Sequence, residues 1–367
     1  METIQKNRTQ RVLAFMREQE LDAILVSNCC LGNLDTWLLG KEKMPLHLPY
    51  NRNNLCLVDS RGQVRELCAR EPHPTDWGKF PLITETELDL SGKRLGLVNP
   101  TYLKRVVRDH LQETYHTELV DVSDAFHLLK MHKTPEEIAG IEKAAAEFDR
   151  VFTTIPLLLT GEHTEREIAV ALRNRLREMD AECEDLQTSS MLTMTSAPDG
   201  GEAVPEPIQW PGRRVTYGDR VNIQVNGFMP GGFASALGRT YILGEPSEEA
   251  RKYWALAVQA QHLIAEHAKP GTTVTQLMEL LGKLLEENGL HLDSSNQVYG
   301  IGAAIYEAPR NVDNTRDIPL EEGMTLVIAP KIIPAGKDPY CCADVFVVTQ
   351  DGAKRLSKTS QALCVLD

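Results

Sequence analysis

Apolar and polar positions follow two different rhythms along this chain, and the change of rhythm divides it. Short apolar runs with strand character come first: DAILVS (22–27), NNLCLVD (53–59), KRLGLVNP (93–100) and ELVDVS (118–123). The opening stretch METIQKNRTQRVLAFMREQEL has helical spacing, and TYLKRVVRDHLQET places a second helix between the third and fourth runs. This pattern predicts a small α/β domain over residues 1–128.

The rhythm changes at MHKTPEEIAGIEKAAAEFDRVF. Thr134 can cap a helix, Pro135 suits its first position, and Glu137 completes a capping box. The domain boundary is expected just before this helix, leaving 129–367 as a second domain. Two more boxes follow, Thr164 with Glu167 and Thr273 with Gln276. Each comes after a glycine turn, at Gly161 and Gly271, and each precedes strand-rich sequence. A repeated pattern of this kind implies a duplicated helix-and-antiparallel-sheet unit. Two such halves would form a curved sheet with helices outside and a site in its concave middle, an α+β domain.

Composition narrows the partners. The chain has 367 residues, 42% hydrophobic and 25% charged, with a net charge of −13. Its Lys and Arg form no run, whereas nucleic acid requires clustered cations. Neither nucleic acid nor an anionic membrane is therefore an expected partner. No apolar run approaches the ~20 residues of a membrane span, and the first residues lack the features of a secretory signal. The eight cysteines contain no CxxC pair and read as reduced thiols of a cytoplasmic protein. Cys29-Cys30 and Cys341-Cys342 are vicinal, and adjacent thiols on a strand point to opposite faces.

From about Lys133 to the end, five ordered segments carry a resemblance. KTPEEIAGIEKAA, GDRVNIQVNGFMPGGFASALGRTYILG (218–244), GIGAAIYEAP (300–309), EEGMTLVIAPKII and CCADVFVVTQDG resemble the creatinase, prolidase and methionine aminopeptidase family, whose fold is called pita-bread. The resemblance implies a pita-bread C-terminal domain, an N-terminal domain of the same family's type, and a homodimer. Metal-dependent members hold two divalent cations with two Asp, one His and two Glu. Position by position, those ligands fall here on Gln224, Ala236, Tyr299, Ala329 and Ala343, and the substrate-facing histidine falls on Tyr306. A dication pair needs several carboxylates to neutralise it, so no metal or other cofactor is expected. Creatinase, which works without metal, has alanine in a comparable place to ASALGRT (234–240). Its upstream histidine has no counterpart in SAPDGGEAVPEPIQWPGRRV (196–215).

The candidate chemistry is correspondingly organic. Tyr299, Tyr306 and Glu307 are candidates for proton transfer, provided neighbouring charge lowers the phenols from ~10. Otherwise they are core aromatics and a salt-bridged carboxylate. Arg239 can hold a carboxylate through its fork or form an internal ion pair with Asp344 or Glu307. Gln224 and Lys331 are candidate substrate contacts, with inert packing and solvent exposure as the alternatives. Glu206, Gln209 and Trp210 lie on a Pro/Gly-rich loop that suits a wall or lid, and Arg52, with Tyr50, is a candidate from the first domain. No nucleophile elbow, Walker loop or dinucleotide fingerprint is present.

Two readings result. One is a metal-independent hydrolase acting on a C–N bond of a small polar or zwitterionic nitrogen compound. The other is a non-catalytic pseudopeptidase that binds a small ligand or a protein. A proline-directed metallopeptidase is disfavoured by the replaced ligands.

Overall fold

A computed structural model describes residues 2–27, 37–38, 54–68, 90–103, 105–178, 192–201, 212–229 and 232–366. The chain divides into two compact units, Met1–Lys130 and Met131–Asp367.

Among the described residues the first unit is built on five strands: β1 (Ala23–Ser27), β2 (Asn54–Asp59), β3 (Val64–Cys68), β4 (Arg94–Val98) and β5 (Glu118–Asp121). Their order is β3-β2-β1-β4-β5. β1, β4 and β5 run parallel, while β2 and β3 are antiparallel additions. Its described helices include α1 (Glu2–Glu18), α2 (Arg105–Tyr115) and α3 (Ser123–Leu129). Leu25, Leu57, Leu95 and Leu97 from the strands meet Val107 and Leu111 of α2 in one core. The four apolar runs of the sequence are four of these strands. The fifth, β3, has the sequence VRELC, whose two charges hide its strand character.

In the second unit the capping boxes form as expected. Thr134 and Glu137 bond reciprocally at the start of α4 (Pro135–Phe152). Thr164 and Glu167 do so before α5 (Glu165–Glu178). The long α6 (Glu248–His267) is capped by Ser247, and α7 (Val274–Glu287) by Thr273 and Gln276. Each such cap contributes on the order of 1 kcal/mol. The glycines before α5 and α7, Gly161 and Gly271, both have positive φ, 80° and 89°.

Two larger sheets accompany these helices. One holds β6 (Leu192–Pro198), β7 (Asp219–Met229), β8 (Phe233–Leu243) and β16 (Cys364–Leu366), in the order β16-β8-β7-β6. The other holds β9 (Val298–Gly300), β10 (Glu307–Arg310), β11 (Thr325–Ile328), β14 (Asp344–Thr349) and β15 (Gly352–Arg355), in the order β10-β9-β11-β14-β15. A short pair, β12 (Lys331–Ile332) and β13 (Tyr340–Cys341), completes the unit.

α4 approaches β8 closely because Gly140 has no side chain, and a Cβ there would stand 2.3 Å from the Phe233 ring. α6 and α7 pack Trp254, Ala257, Ile264, Leu277 and Leu281 against Leu326, Ile328 and Phe346 of the second sheet. Each fully buried leucine of this kind stabilises the unit by roughly 1.5–3 kcal/mol. Each half thus pairs two helices with one sheet.

Candidate functional site

The two sheets of the second unit meet at one backbone bridge. Gly238 N–H donates to Ala343 O at 3.0 Å, and Ala343 N–H returns a bond to Gly238 O at 3.1 Å. A Cβ at Gly238 would sit 3.0 Å from the Ala343 methyl and 3.4 Å from Cβ of Gln224. Close approach at this seam therefore requires small residues. Across the β7–β8 hairpin, Gln224 faces Gly238 and Asn226 faces Ala236. In the second sheet Tyr299 faces Val327, and Ile328 faces Asp344. The fold thus brings together the strands that carry Gln224, Ala236 and Tyr299, while Ala343 directly precedes β14 and Ala329 directly follows β11.

The polar groups here are mostly neutral. The Tyr299 hydroxyl donates to Oδ1 of Asn226 at 3.3 Å. The Tyr299 and Tyr306 rings lie 4.6 Å apart, inclined at 46°. The Cys341 thiol reaches the Gln224 carbonyl oxygen at 3.9 Å. Lys331, half-buried, donates from Nζ to Ser295 Oγ at 2.7 Å, and the Ser295 hydroxyl in turn donates to Asp293.

Several expected roles are corrected by this geometry. Arg239 is not a substrate clamp, because all five of its N–H groups are engaged inside the fold. Nη1 donates to Gly238 O at 2.7 Å and Ala343 O at 3.0 Å. Nη2 donates to Asp344 Oδ1 at 2.8 Å and Thr359 O at 3.0 Å, and Nε to Ser360 O at 2.8 Å. Asp344 also accepts from Gln261 at 3.0 Å. Glu307 is not a poised base. Its Oε2 accepts from Lys133 Nζ at 2.7 Å, and its Oε1 from Ala304 N–H at 3.0 Å.

The phenols are corrected too. Burial pushes Tyr299 well above the usual tyrosine value, and the neighbouring Tyr306 and Cys341 add to this. Burial also raises Tyr306, against a smaller opposing effect of Arg310. Both stay protonated near neutral pH, so the lowered values that acid–base work requires are not realised. Tyr306 occupies left-handed backbone at φ 61°, which costs a non-glycine residue about 1–2 kcal/mol.

Gln224 is half-buried, and its carbonyl oxygen faces the Cys341 thiol. Glu206, Gln209, Trp210 and Arg52 lie outside the described residues. The contributions of Lys133, Asn226, Ser295 and Asp293 were not read from the sequence. Asn226 had a usable signal, since it shares a face of β7 with Gln224. Lys133 had none beyond its place beside the capping box.

A paired divalent centre does not fit this donor set. The five aligned positions offer one amide, one phenol and three methyl groups, and Ala236, Ala329 and Ala343 are buried. The adjacent carboxylates Asp344 and Glu307 are bonded to Arg239 and Lys133. Among the described residues, no three His, Cys, Asp or Glu converge as a metal ion would require.

The vicinal thiols point apart, Cys341 toward Gln224 and Cys342 toward Gln261. Burial raises them to about 11 and about 12. No helix among the described residues is long and apolar enough to cross a membrane.

The strand-and-helix order and the bridged sheets define a pita-bread fold, and known proteins share it. The model of metallopeptidase family M24 matches residues 139–350, and the chain belongs to this family. It is 28% identical to an Xaa-Pro dipeptidase of Pyrococcus horikoshii over 375 residues, covering 98% of this chain and 99% of that one. An Xaa-Pro dipeptidase of Pyrococcus furiosus is 28% identical over 259 residues, 70% of this chain and 72% of its own. Among solved structures, the prolidase from Pyrococcus horikoshii OT3 superposes with a TM-score of 0.75 at 21% identity, covering 97% of this chain and 99% of that one. Dipeptidase PepE from Mycobacterium ulcerans superposes at 0.76 and 20% identity, covering 99% and 98%.

Proposed function

We propose that this chain is an M24 protein whose concave site binds a small polar or zwitterionic ligand and does not carry out metal-dependent hydrolysis. The observation that supports this most is the state of the ionisable groups. Glu307 is bonded to Lys133, Asp344 is bonded to Arg239, and both phenols are raised. No carboxylate or phenol in this set stands ready to take a proton near neutral pH. What remains is a hydrogen-bonding surface of Gln224, Tyr306 and the Lys331–Ser295 pair. Such a surface orients a polar molecule without activating water.

The same reading carries a two-domain protomer, with the first domain ending near residue 128, and a homodimer. Light scattering at two concentrations tests the dimer.

A second reading, a metal-independent hydrolase of a C–N bond, draws on one specific observation as well as on the family. Tyr306, at the position that aligns with a substrate-facing histidine, is held in left-handed backbone. Strain of this kind gathers at functional sites. Its protonated phenol would donate to a developing oxyanion, as Gln224 would.

One experiment separates the two. The purified protein is incubated with Xaa-Pro dipeptides and with creatine, with and without chelator, while thermal shift and product formation are recorded together. Binding without product supports the first reading. Chelator-insensitive product supports the second, and chelator-sensitive turnover overturns both.

A further inference from the structure

The opposite face of β8 borders a cavity that the central site does not use. Side chains alternate along a strand, so Ala236 and Gly238 share one face of β8 while Arg239 and Tyr241 share the other. The cavity, about 650 Å³, lies against Arg239 and Tyr241, the end of α4, residues 358–363 and β16. That volume is within the range of small-molecule sites, roughly 300–1,000 Å³.

The polar groups of this cavity are unevenly matched. Its carboxylate, Asp149, is fully engaged: Oδ2 accepts from Lys358 N–H at 2.7 Å, and Oδ1 from Thr359 N–H at 2.8 Å and the Thr359 hydroxyl at 2.6 Å. The carbonyls of Thr359 and Ser360 accept from Arg239. Donors are left over. Tyr241 is 3% exposed, and its hydroxyl has no hydrogen-bond partner among the described residues. The Lys358 ammonium forms no ion pair among them. Ser360 Oγ accepts from Ala362 N–H at 3.1 Å, leaving its own proton to give. Phe152, Pro156, Leu363 and Val365 supply apolar wall.

We propose that this cavity binds a small carboxylic acid with an apolar body, its carboxylate received by Lys358 and Tyr241. Surplus donors favour an acceptor, and a cationic ligand would meet Lys358 with no free carboxylate to offset it among the described residues that line the cavity. The apolar wall receives the rest of the molecule. The proposal stands apart from the reading of the central site, since it uses the other face of the strand.

Cys364 lines this cavity as a half-buried thiol and serves as a reporter. The test measures its alkylation by iodoacetamide, mapped by mass spectrometry, in the presence of phenylacetate, phenylacetamide or phenethylamine at millimolar concentration. Phenylacetate is expected to slow alkylation of Cys364 several-fold and to raise the melting temperature, with the amide and the amine doing neither. Lys358→Met, at an exposed position, should weaken phenylacetate protection about tenfold, the value of one charge-assisted hydrogen bond. Leu363→Trp should weaken protection by crowding the apolar wall with an indole. Equal protection by the three probes, no protection in the unsubstituted protein, or full protection in Leu363→Trp would overturn the proposal.

Discussion

Lys133 Nζ lies 2.7 Å from Oε2 of Glu307, and the two side chains are only 5% and 1% exposed. The pair ties Lys133, two residues before α4, to the first residue of β10, so it connects the two halves of the second unit. Removing one partner of a buried pair leaves an uncompensated charge and costs about 3–5 kcal/mol. Lys133→Met and Glu307→Gln should each destabilise by that order in urea denaturation. The double variant should recover most of the loss, because neither charge is then stranded. Additive losses would contradict a direct pair.

Tyr306 poses a question of competing terms. Relieving its left-handed backbone with Tyr306→Gly should return about 1–2 kcal/mol. Losing the half-buried ring costs up to roughly 1.5–3 kcal/mol, and losing its pairing with Tyr299 another ~0.5–1.5 kcal/mol. The ring term wins, so Tyr306→Gly should be net destabilising by about 1–2 kcal/mol in equilibrium denaturation. Net stabilisation would mean that the ring contributes little and the strained backbone is kept for another purpose.

Acid should act through Asp293. Burial pushes its carboxyl up, but the hydrogen bonds from Ser295 and the nearby Lys331 outweigh burial and bring it below the ordinary aspartate value of 3.8. A depressed folded value adds stability that is present above 3.8 and is lost as pH falls through the folded value. Asp293→Asn should therefore flatten the acid limb of a stability–pH curve and leave the curve near neutrality displaced by a constant. An unchanged acid limb would refute this.

Alkali should act through the vicinal thiols. Their ordinary value is 9.0, raised on folding to about 11 at Cys341 and about 12 at Cys342. Raised folded values mean stability that is intact below 9.0 and lost as pH climbs through the folded values. At pH 8 in the native state, both thiols should resist alkylation while Cys364 reacts. Replacing both with alanine should reduce the loss of stability above pH 9.0. Rapid native-state labelling of Cys341 would contradict its burial.

Much of this architecture was legible because it is local. The capping boxes at Thr134 and Thr273 involve groups three residues apart, and the sequence carries both partners of each. The apolar runs of β1, β2, β4 and β5 declare themselves by composition, whereas β3 is a strand through its pairing with β2 and not through its own residues.

Which of its alternatives each remaining polar group adopts was not legible. For Arg239 the sequence left a substrate fork and an internal pair with Asp344 both open, and the carbonyls of Thr359 and Ser360 that complete its shell lie more than a hundred positions away. Glu307 likewise finds its cation at a separation of 174 residues. Whether a charged side chain is available to a ligand depends on such distant partners. Local sequence does not reveal them.

The most direct test of the account is metal stoichiometry. The protein is equilibrated with manganese and zinc, passed through a desalting column, and analysed by inductively coupled plasma mass spectrometry alongside its melting temperature. The account predicts well below one ion per chain and a melting temperature unmoved by chelator. Two tightly held ions per chain, with a chelator-dependent fall in melting temperature, would contradict it.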